Sequence, residues 1–137
     1  DSVGPVPGGL VVHLGRDGRD TATLLEGWLR ARAREVLTER VEARSRELEV
    51  RPGRITIRDQ SSRWASASPS GALSFSWRLV LAPPYVLDAV VVHELAHLRI
   101  RNHSRRFWSL VERNAPRSPE ARRWLREHAA DLRAALE

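Results

Sequence analysis

The chain has 137 residues, 23 basic and 17 acidic side chains, a formal net charge of +6 and a sequence pI near 11.3. This length predicts a single domain over residues 1–137, and no apolar run reaches the roughly 18 residues needed to span a membrane. Cysteine is absent, which excludes disulfides, thiol nucleophiles and thiolate metal ligands. Any bound metal must therefore be held by His and carboxylate side chains.

The basic residues are all Arg and are interleaved with Glu along the whole chain. Their charge permits an acidic partner such as nucleic acid, although a solvated Arg-rich surface is the simpler interpretation. No signal peptide is visible at the amino terminus, which favours a cytoplasmic location without a membrane partner. The first residue is not Met, so we expect a trimmed or excised chain. The oligomeric state stays open.

The first half of the chain contains a loop region, a helix and a set of short strands. Residues 1–19 are rich in Gly and Pro and predict a loop, with a short edge strand over residues 10–14 and an incidental His13. Residues 20–49 predict a long backing helix. Its apolar residues at three-to-four spacing are Leu25, Trp28, Leu29, Val36, Leu37, Val41 and Leu48. After Pro52-Gly53, residues 54–81 predict a sheet with strands at 54–58, 63–68 and 73–81.

A buried helix is predicted over residues 84–101, and it carries the H-E-x-x-H motif from His93 to His97. Residues four apart lie on one helix face, so the two imidazoles can share a zinc ion at about 2.0–2.1 Å. Glu94 lies beside that face, where it can take a proton from water at the metal. The competing interpretation is a pair of helix histidines that bind no metal.

His103 follows the motif by six residues, just beyond the predicted helix end. A chain that turns back there could supply this side chain as a third ligand, which leaves one metal position open for catalysis. Glu112, on the next predicted helix, is the alternative third ligand. Residues 104–136 predict two C-terminal helices, separated at Pro116.

At these motifs the chain resembles the YgjP-like family of zinc metallopeptidases, of the zincin clan near the SprT-like and WLM-type proteases. The runs that carry the resemblance are 63–68 (RWASAS), 77–84 (WRLVLAPP), 91–98 (VVHELAHL), and 102–104 (NHS) with 107–108 (FW). The resemblance extends over about residues 25–132. It implies one zinc ion held by His93, His97 and His103, with Glu94 as the catalytic base.

The resemblance also implies an α+β, zincin-like fold. In it, a small twisted three-stranded sheet packs on the backing helix and the active-site helix, with the two C-terminal helices beside them. A substrate-facing edge strand is implied above the zinc helix, and the residues predicted for it are Trp64, Ala65, Ser66, Ala67 and Ser68. The family usually has W-G-S-C-S over these positions and Asn at position 76, where this chain has Ser76.

The mechanism we expect is metal-assisted hydrolysis of a peptide or protein substrate, with Glu94 taking a proton from water and delivering it to the leaving amine. His128, Tyr85 and Arg106 are open alternatives for the group that stabilises the oxyanion or supports the ligands. Two other functions stay open. One is a zinc hydrolase of phosphate anhydrides such as nucleoside triphosphates, with Arg side chains on the phosphates. The other is a nucleic-acid-associated protein, by analogy with DNA-linked SprT-like proteases.

Overall fold

The computed structural model describes residues 3–6, 9–12, 18–59 and 63–136, with side chains from residue 21 onward. The long backing helix, α1, runs over Gly18–Leu48, close to its predicted bounds. Its buried face carries Leu29, Ala33, Leu37, Val41 and Leu48. The spacing of these residues along one helix face explains why this strongly charged segment still packs against the core.

The amino-terminal segment forms a hairpin where the sequence predicted one strand within residues 10–14. Strands β1 (Val3–Val6) and β2 (Gly9–Val12) pair antiparallel, with Val3 opposite Val12. His13 lies outside the described residues. The difference arises because β1 contains Pro5, which lowers the strand signal of a short segment.

The main sheet has three strands, β3 (Ile55–Arg58), β4 (Ala65–Ala67) and β5 (Leu73–Ser76). Their order is β3-β5-β4, with β3 parallel and β4 antiparallel to β5. The predicted α+β class with a three-stranded sheet is confirmed. Strand β4 lies at an edge, so one side of its backbone is not paired within the sheet.

The third strand was predicted to reach residue 81, but it ends at Ser76. The Ser76 hydroxyl accepts a hydrogen bond from the backbone N–H of Arg78 at 3.2 Å and caps a 3-10 helix over Trp77–Leu81. This stretch is a short, mostly apolar run, and the sequence pattern of such a run does not distinguish a strand from a helical turn.

Arg78 is buried and ties this 3-10 helix to the carboxyl end of the chain. Its Nη1 donates to the carbonyl oxygens of Leu132 and Ala135 at 2.8 and 2.7 Å, and its Nε pairs with Asp59 at 2.9 Å. The guanidinium therefore donates to two carbonyl groups at the carboxyl end of the last helix, where the helix does not supply donors for all of its carbonyls.

Helix α2 runs over Pro84–Ala96, and most of its residues are buried. Its buried residues are Val86, Leu87, Ala89, Val91, Val92, Glu94, Leu95 and Ala96. The helix ends well before residue 101, the predicted end. His97 is its C-cap, and the N–H groups of Leu98 and Arg99 bond three residues back, at 3.0 Å each. Bonds to the third residue back form a tighter turn than an α-helix, so the α-helix ends here. The apolar residues of the sequence continue beyond this point, which is why the predicted helix was too long.

Two further helices complete the fold, α3 (Arg105–Asn114) and α4 (Ser118–Ala134). Ser104 is the N-cap of α3, since its hydroxyl accepts the N–H of Phe107 at 3.4 Å. Both helices contact α2, so the motif helix lies between α1 on one side and α3 and α4 on the other. Within the described residues, no helix combines the length and apolar character needed to cross a bilayer.

A half-buried carboxylate joins α1 to α2. Asp88 accepts hydrogen bonds from Arg40 at 2.8 Å and from Arg44 at 3.0 Å. Burial would raise the pKa of Asp88, but the hydrogen bonds from Arg44 and Arg40 outweigh it and hold this pKa below its usual range. Asp88 lies just over one turn before His93, so this ion-pair network fixes the helix that carries the metal motif.

We predict that Asp88→Asn lowers the free energy of unfolding by about 1–3 kcal/mol, because it removes the carboxylate that pairs with Arg40 and leaves Arg44 with Glu47 alone. Chemical denaturation measures this loss. Glu120→Gln is the matched control, since the Glu120 pair with Arg117 is exposed and its loss should change stability far less. Equal effects of the two changes would contradict a special role for Asp88.

Candidate metal centre

Three imidazoles converge at the end of α2. The ligand nitrogens of His93, His97 and His103 all lie within 4.8 Å of one another. The Nε2 atoms of His97 and His103 are 3.2 Å apart. Two nitrogens on a tetrahedral zinc at ~2.05 Å would be separated by about 3.3 Å, so His97 and His103 have the spacing of two ligands of one such ion. In the described part of the chain, no other cluster of three His or acidic side chains has this spacing.

The short turn after α2 places both the second and the third imidazole. His97 Nδ1 lies 3.0 Å from the carbonyl oxygen of Ile100, and a carbonyl can only accept a hydrogen bond. The proton is therefore on Nδ1 and the lone pair of Nε2 faces the cluster, as a ligand requires. The same turn brings the chain back so that His103 reaches His97.

Aromatic rings of α3 form one wall of the cluster. Phe107 stacks on His97 with ring centroids 4.3 Å apart, and Trp108 stacks on His103 with centroids 5.7 Å apart. His93 meets both rings edge-on, at 5.0 Å from Phe107 and 5.5 Å from Trp108. These contacts fix the planes of the imidazoles. They give a structural reason for the Phe107-Trp108 pair that follows His103 in the sequence.

The environment favours neutral imidazoles at physiological pH. Burial, with smaller contributions from the neighbouring charges, lowers the pKa of His93 to about 4. Burial also lowers the pKa of His97 below its usual value. Since a metal ligand must offer a lone pair, these depressed pKa values leave the site ready to bind a cation.

Glu94 is buried beside the cluster, with 7% of its surface exposed. Burial raises the pKa of this carboxyl to about 7, and the charges of Arg63 and Arg101 oppose the shift. A carboxyl that titrates near neutral pH can both accept and return a proton.

A cavity of about 180 Å³ opens next to Glu94 and His93. Strand β4, α2 and α4 form its walls. The apolar side chains that line it are Trp64, Ala65, Ala89, Val90, Ala121 and Leu125. Ser118 and Arg122 of α4 complete the lining. The cavity is therefore an apolar recess with one buried acid at the metal cluster and one cation at α4.

The register of β4 determines which backbone groups are free. Ser76 N–H donates to the Trp64 carbonyl at 2.8 Å, and Ser68 N–H donates to the Ala72 carbonyl at 2.9 Å. Hydrogen-bonded pairs alternate along an antiparallel ladder, so residues 64, 66 and 68 face β5. Ala65 and Ala67 consequently direct their backbone groups to the opposite, unpaired edge.

That unpaired edge lies beside the histidine cluster. Arg101, in the turn after the motif, donates from Nη2 to the Ala67 carbonyl at 2.9 Å. Ala65 lines the cavity together with Glu94. The structure thus brings the predicted edge strand and the motif to a common cleft.

Other residues singled out from the sequence lie elsewhere. Tyr85 packs under the guanidinium of Arg117 at 3.6 Å, and His128 stacks on Trp124 with ring centroids 4.1 Å apart. Arg106 borders a separate groove together with Arg99 and Arg113, and Glu112 is exposed on α3. None of them lines the cavity next to Glu94.

The sequence analysis missed residues that approach the site through tertiary packing alone. Arg101 and Arg122 are two of many arginines in the sequence, and Ser118 belongs to a segment predicted only as helix. Nothing in local spacing distinguishes them, because α4 meets α2 after a long separation in sequence.

We predict opposite pH effects of the site residues on the stability of the metal-free protein. With a pKa of about 4 against 6.5 unfolded, His93 loses its stabilising contribution as pH falls from 6.5 toward 4. With a pKa of about 7 against 4.5 unfolded, Glu94 favours the fold more strongly as pH falls from 7 toward 4.5.

Glu94→Gln removes the second effect alone. In the presence of a chelator, its melting temperature should therefore fall by roughly 3–10 °C relative to the unchanged chain between pH 7 and 4.5. Two melting curves that stay parallel over this pH range would contradict the assigned pKa shift of Glu94.

Comparison with known proteins relates this site to peptidases. A search of curated proteins gave no match. The structure is similar to the crystal structure of the metallopeptidase zymogen of Pyrococcus abyssi abylysin, with 26% sequence identity and a TM-score of 0.60. The alignment covers 66% of this chain and 93% of that one. The profile of the YgjP-like metallopeptidase domain matches residues 7–128, and the chain therefore belongs to the YgjP-like metallopeptidase family.

Proposed function

We propose that this protein is a zinc-dependent peptidase that hydrolyses peptide bonds with Glu94 as general base. The observation that carries the proposal is the convergence of three imidazoles beside a buried carboxyl of raised pKa. Membership of a metallopeptidase family favours a peptide substrate over a phosphate anhydride.

His93, His97 and His103 would hold the metal, since their ligand nitrogens lie within 4.8 Å of one another and burial lowers the pKa values of His93 and His97. Three imidazoles suit zinc, and three protein ligands leave one position open. Zinc bound there would supply Lewis acidity, which makes water ionise near neutral pH and polarises a carbonyl group.

Glu94 performs the proton transfers of the proposed reaction. Its carboxylate takes a proton from water as the water oxygen bonds to the carbonyl carbon of the substrate. The C–N bond then breaks, its electron pair stays on nitrogen, and the Glu94 carboxyl returns the proton to that nitrogen. The products are a new carboxyl group and a free amine. Burial of Glu94 excludes bulk water as a competing acid or base.

The unpaired edge of β4 would hold the substrate in an extended conformation. The N–H groups of Ala65 and Ala67 point away from β5, so a peptide could add to this edge as a further strand. Backbone pairing of this kind tolerates small side chains in β4, which suits the alanines found where the family usually has Gly and Cys.

We predict that His103→Ala loses metal affinity by more than the roughly 10–100-fold that removal of a ligand's hydrogen-bond partner costs. Metal titration by calorimetry gives the dissociation constant. His128→Ala is the control, because His128 lies on α4 and stacks on Trp124. Unchanged zinc affinity in His103→Ala would exclude this residue as a ligand.

Glu94→Gln keeps the size of the side chain but cannot accept a proton. We expect the variant to bind zinc as the unchanged chain does and to lose about 10²–10⁴-fold in turnover of a peptide library. Full turnover by Glu94→Gln would refute Glu94 as the base.

The register of β4 gives a paired prediction. Ala67→Pro removes an outward N–H, so the protein should keep its melting temperature and its zinc while losing peptide turnover. Ser66→Pro removes an N–H that faces Ser74 in the ladder and should lower the melting temperature instead. Calorimetry and a cleavage assay on both variants test this. A stable and fully active Ala67→Pro would rule out strand addition at this edge.

A further inference from the structure

Arg122 is a half-buried cation without a counter-charge. Its Nε is buried and has no hydrogen-bond partner, and the guanidinium makes no ion pair with the described residues. It is held over the ring of Trp108, 4.0 Å from the centroid. Desolvating a charged group without a hydrogen bond is costly, so this placement becomes favourable when an anion binds.

The cavity wall around Arg122 is otherwise suited to an anion. Ser118 and Arg122 belong to the first turns of α4, a helix of 17 residues, whose amino terminus carries a partial positive charge. Glu94 is the only acidic residue among the described residues that line the cavity, and it makes no ion pair with Arg122. The electrostatic field at the α4 side of the cavity is therefore positive.

We propose that this cavity is a substrate subsite in which Arg122 binds a carboxylate while the apolar wall holds one side chain of the same residue. An apolar cavity of ~150 Å³ accepts a benzene ring, so about 180 Å³ accommodates one apolar side chain. A C-terminal residue with an apolar side chain supplies both groups at once. An acidic side chain is the other source of the carboxylate.

This subsite belongs to the residue that follows the scissile bond, an assignment that rests on the proposed function. Glu94 returns its proton to the leaving nitrogen, and the cavity begins at Glu94. The leaving nitrogen is bonded to the Cα atom of the residue that follows the scissile bond. The side chain of that residue therefore lies next to Glu94 and enters the cavity. Arg122 then determines specificity by favouring substrates that are cleaved close to a carboxylate.

The test measures peptide binding separately from turnover. Zinc-loaded Glu94→Gln is titrated by calorimetry with acetyl-Ala-Ala-Leu as the free acid, with its C-terminal amide, and with acetyl-Ala-Ala-Glu amide. The same titrations are repeated with double variants that combine Glu94→Gln with Arg122→Leu, Arg122→Lys or Arg126→Leu. Arg126 is the matched control, because it is exposed one turn further along α4.

We expect the free acid to bind about 10- to 100-fold more tightly than the Leu amide. Arg122→Leu should abolish this preference, Arg122→Lys should keep part of it, and Arg126→Leu should leave it intact. If the Glu amide instead binds more tightly than the Leu amide, and only with Arg122 present, the carboxylate comes from a side chain.

Equal binding of all three peptides, no binding, or a preference that survives Arg122→Leu would overturn the subsite. Cleavage of a peptide library by the zinc-loaded, unchanged chain tests the peptidase function on its own. Binding that depends on Arg122 without any cleavage would therefore support the subsite and refute the peptidase. Cleavage of the library, together with equal binding of the free acid and the amides, would support the peptidase and refute the subsite.

Discussion

The position of the histidine cluster depends on the enclosure of α2. This helix contacts α1, the 3-10 helix, β4, α3 and α4, so few faces are left for water. A helix satisfies its own backbone hydrogen bonds, and it can therefore be surrounded by apolar side chains without unpaired polar groups. Asp88 anchors one side through two arginines of α1. Because the helix is fixed in this way, His93 and His97 at its carboxyl end are held in a fixed position beside the cleft.

The same enclosure sets the chemistry of the polar residues. Burial lowers the pKa of His93 and raises that of Glu94, so each is held in its neutral form more strongly than in water. A neutral imidazole is a ligand, and a carboxyl titrating near pH 7 is a suitable proton carrier. These shifts destabilise the fold in part, which is common where function requires buried ionisable groups. The packing of α2 thus determines both the geometry and the proton affinities of the site.

Sequence spacing alone predicted the parts of the site that lie close together in the chain. The H-E-x-x-H motif places two imidazoles through helix periodicity, and the following turn is short enough to predict His103 nearby. The predicted end of α2 was wrong, because apolar residues continue beyond Ala96, where the backbone hydrogen bonds change to the tighter 3-10 pattern. The parallel pairing of β3 with β5 and the approach of Arg122 depend on contacts between distant segments. No local pattern encodes such contacts, so they required the structure.

X-ray absorption at the zinc edge, on the unchanged chain loaded with one equivalent of zinc, tests the central claim most directly. Three imidazoles on one ion predict three nitrogen neighbours at about 2.0–2.1 Å, the outer-ring scattering typical of histidine, and one further light atom. A best fit with two imidazoles, or zinc that stays fully hydrated, would contradict a metal centre formed by His93, His97 and His103.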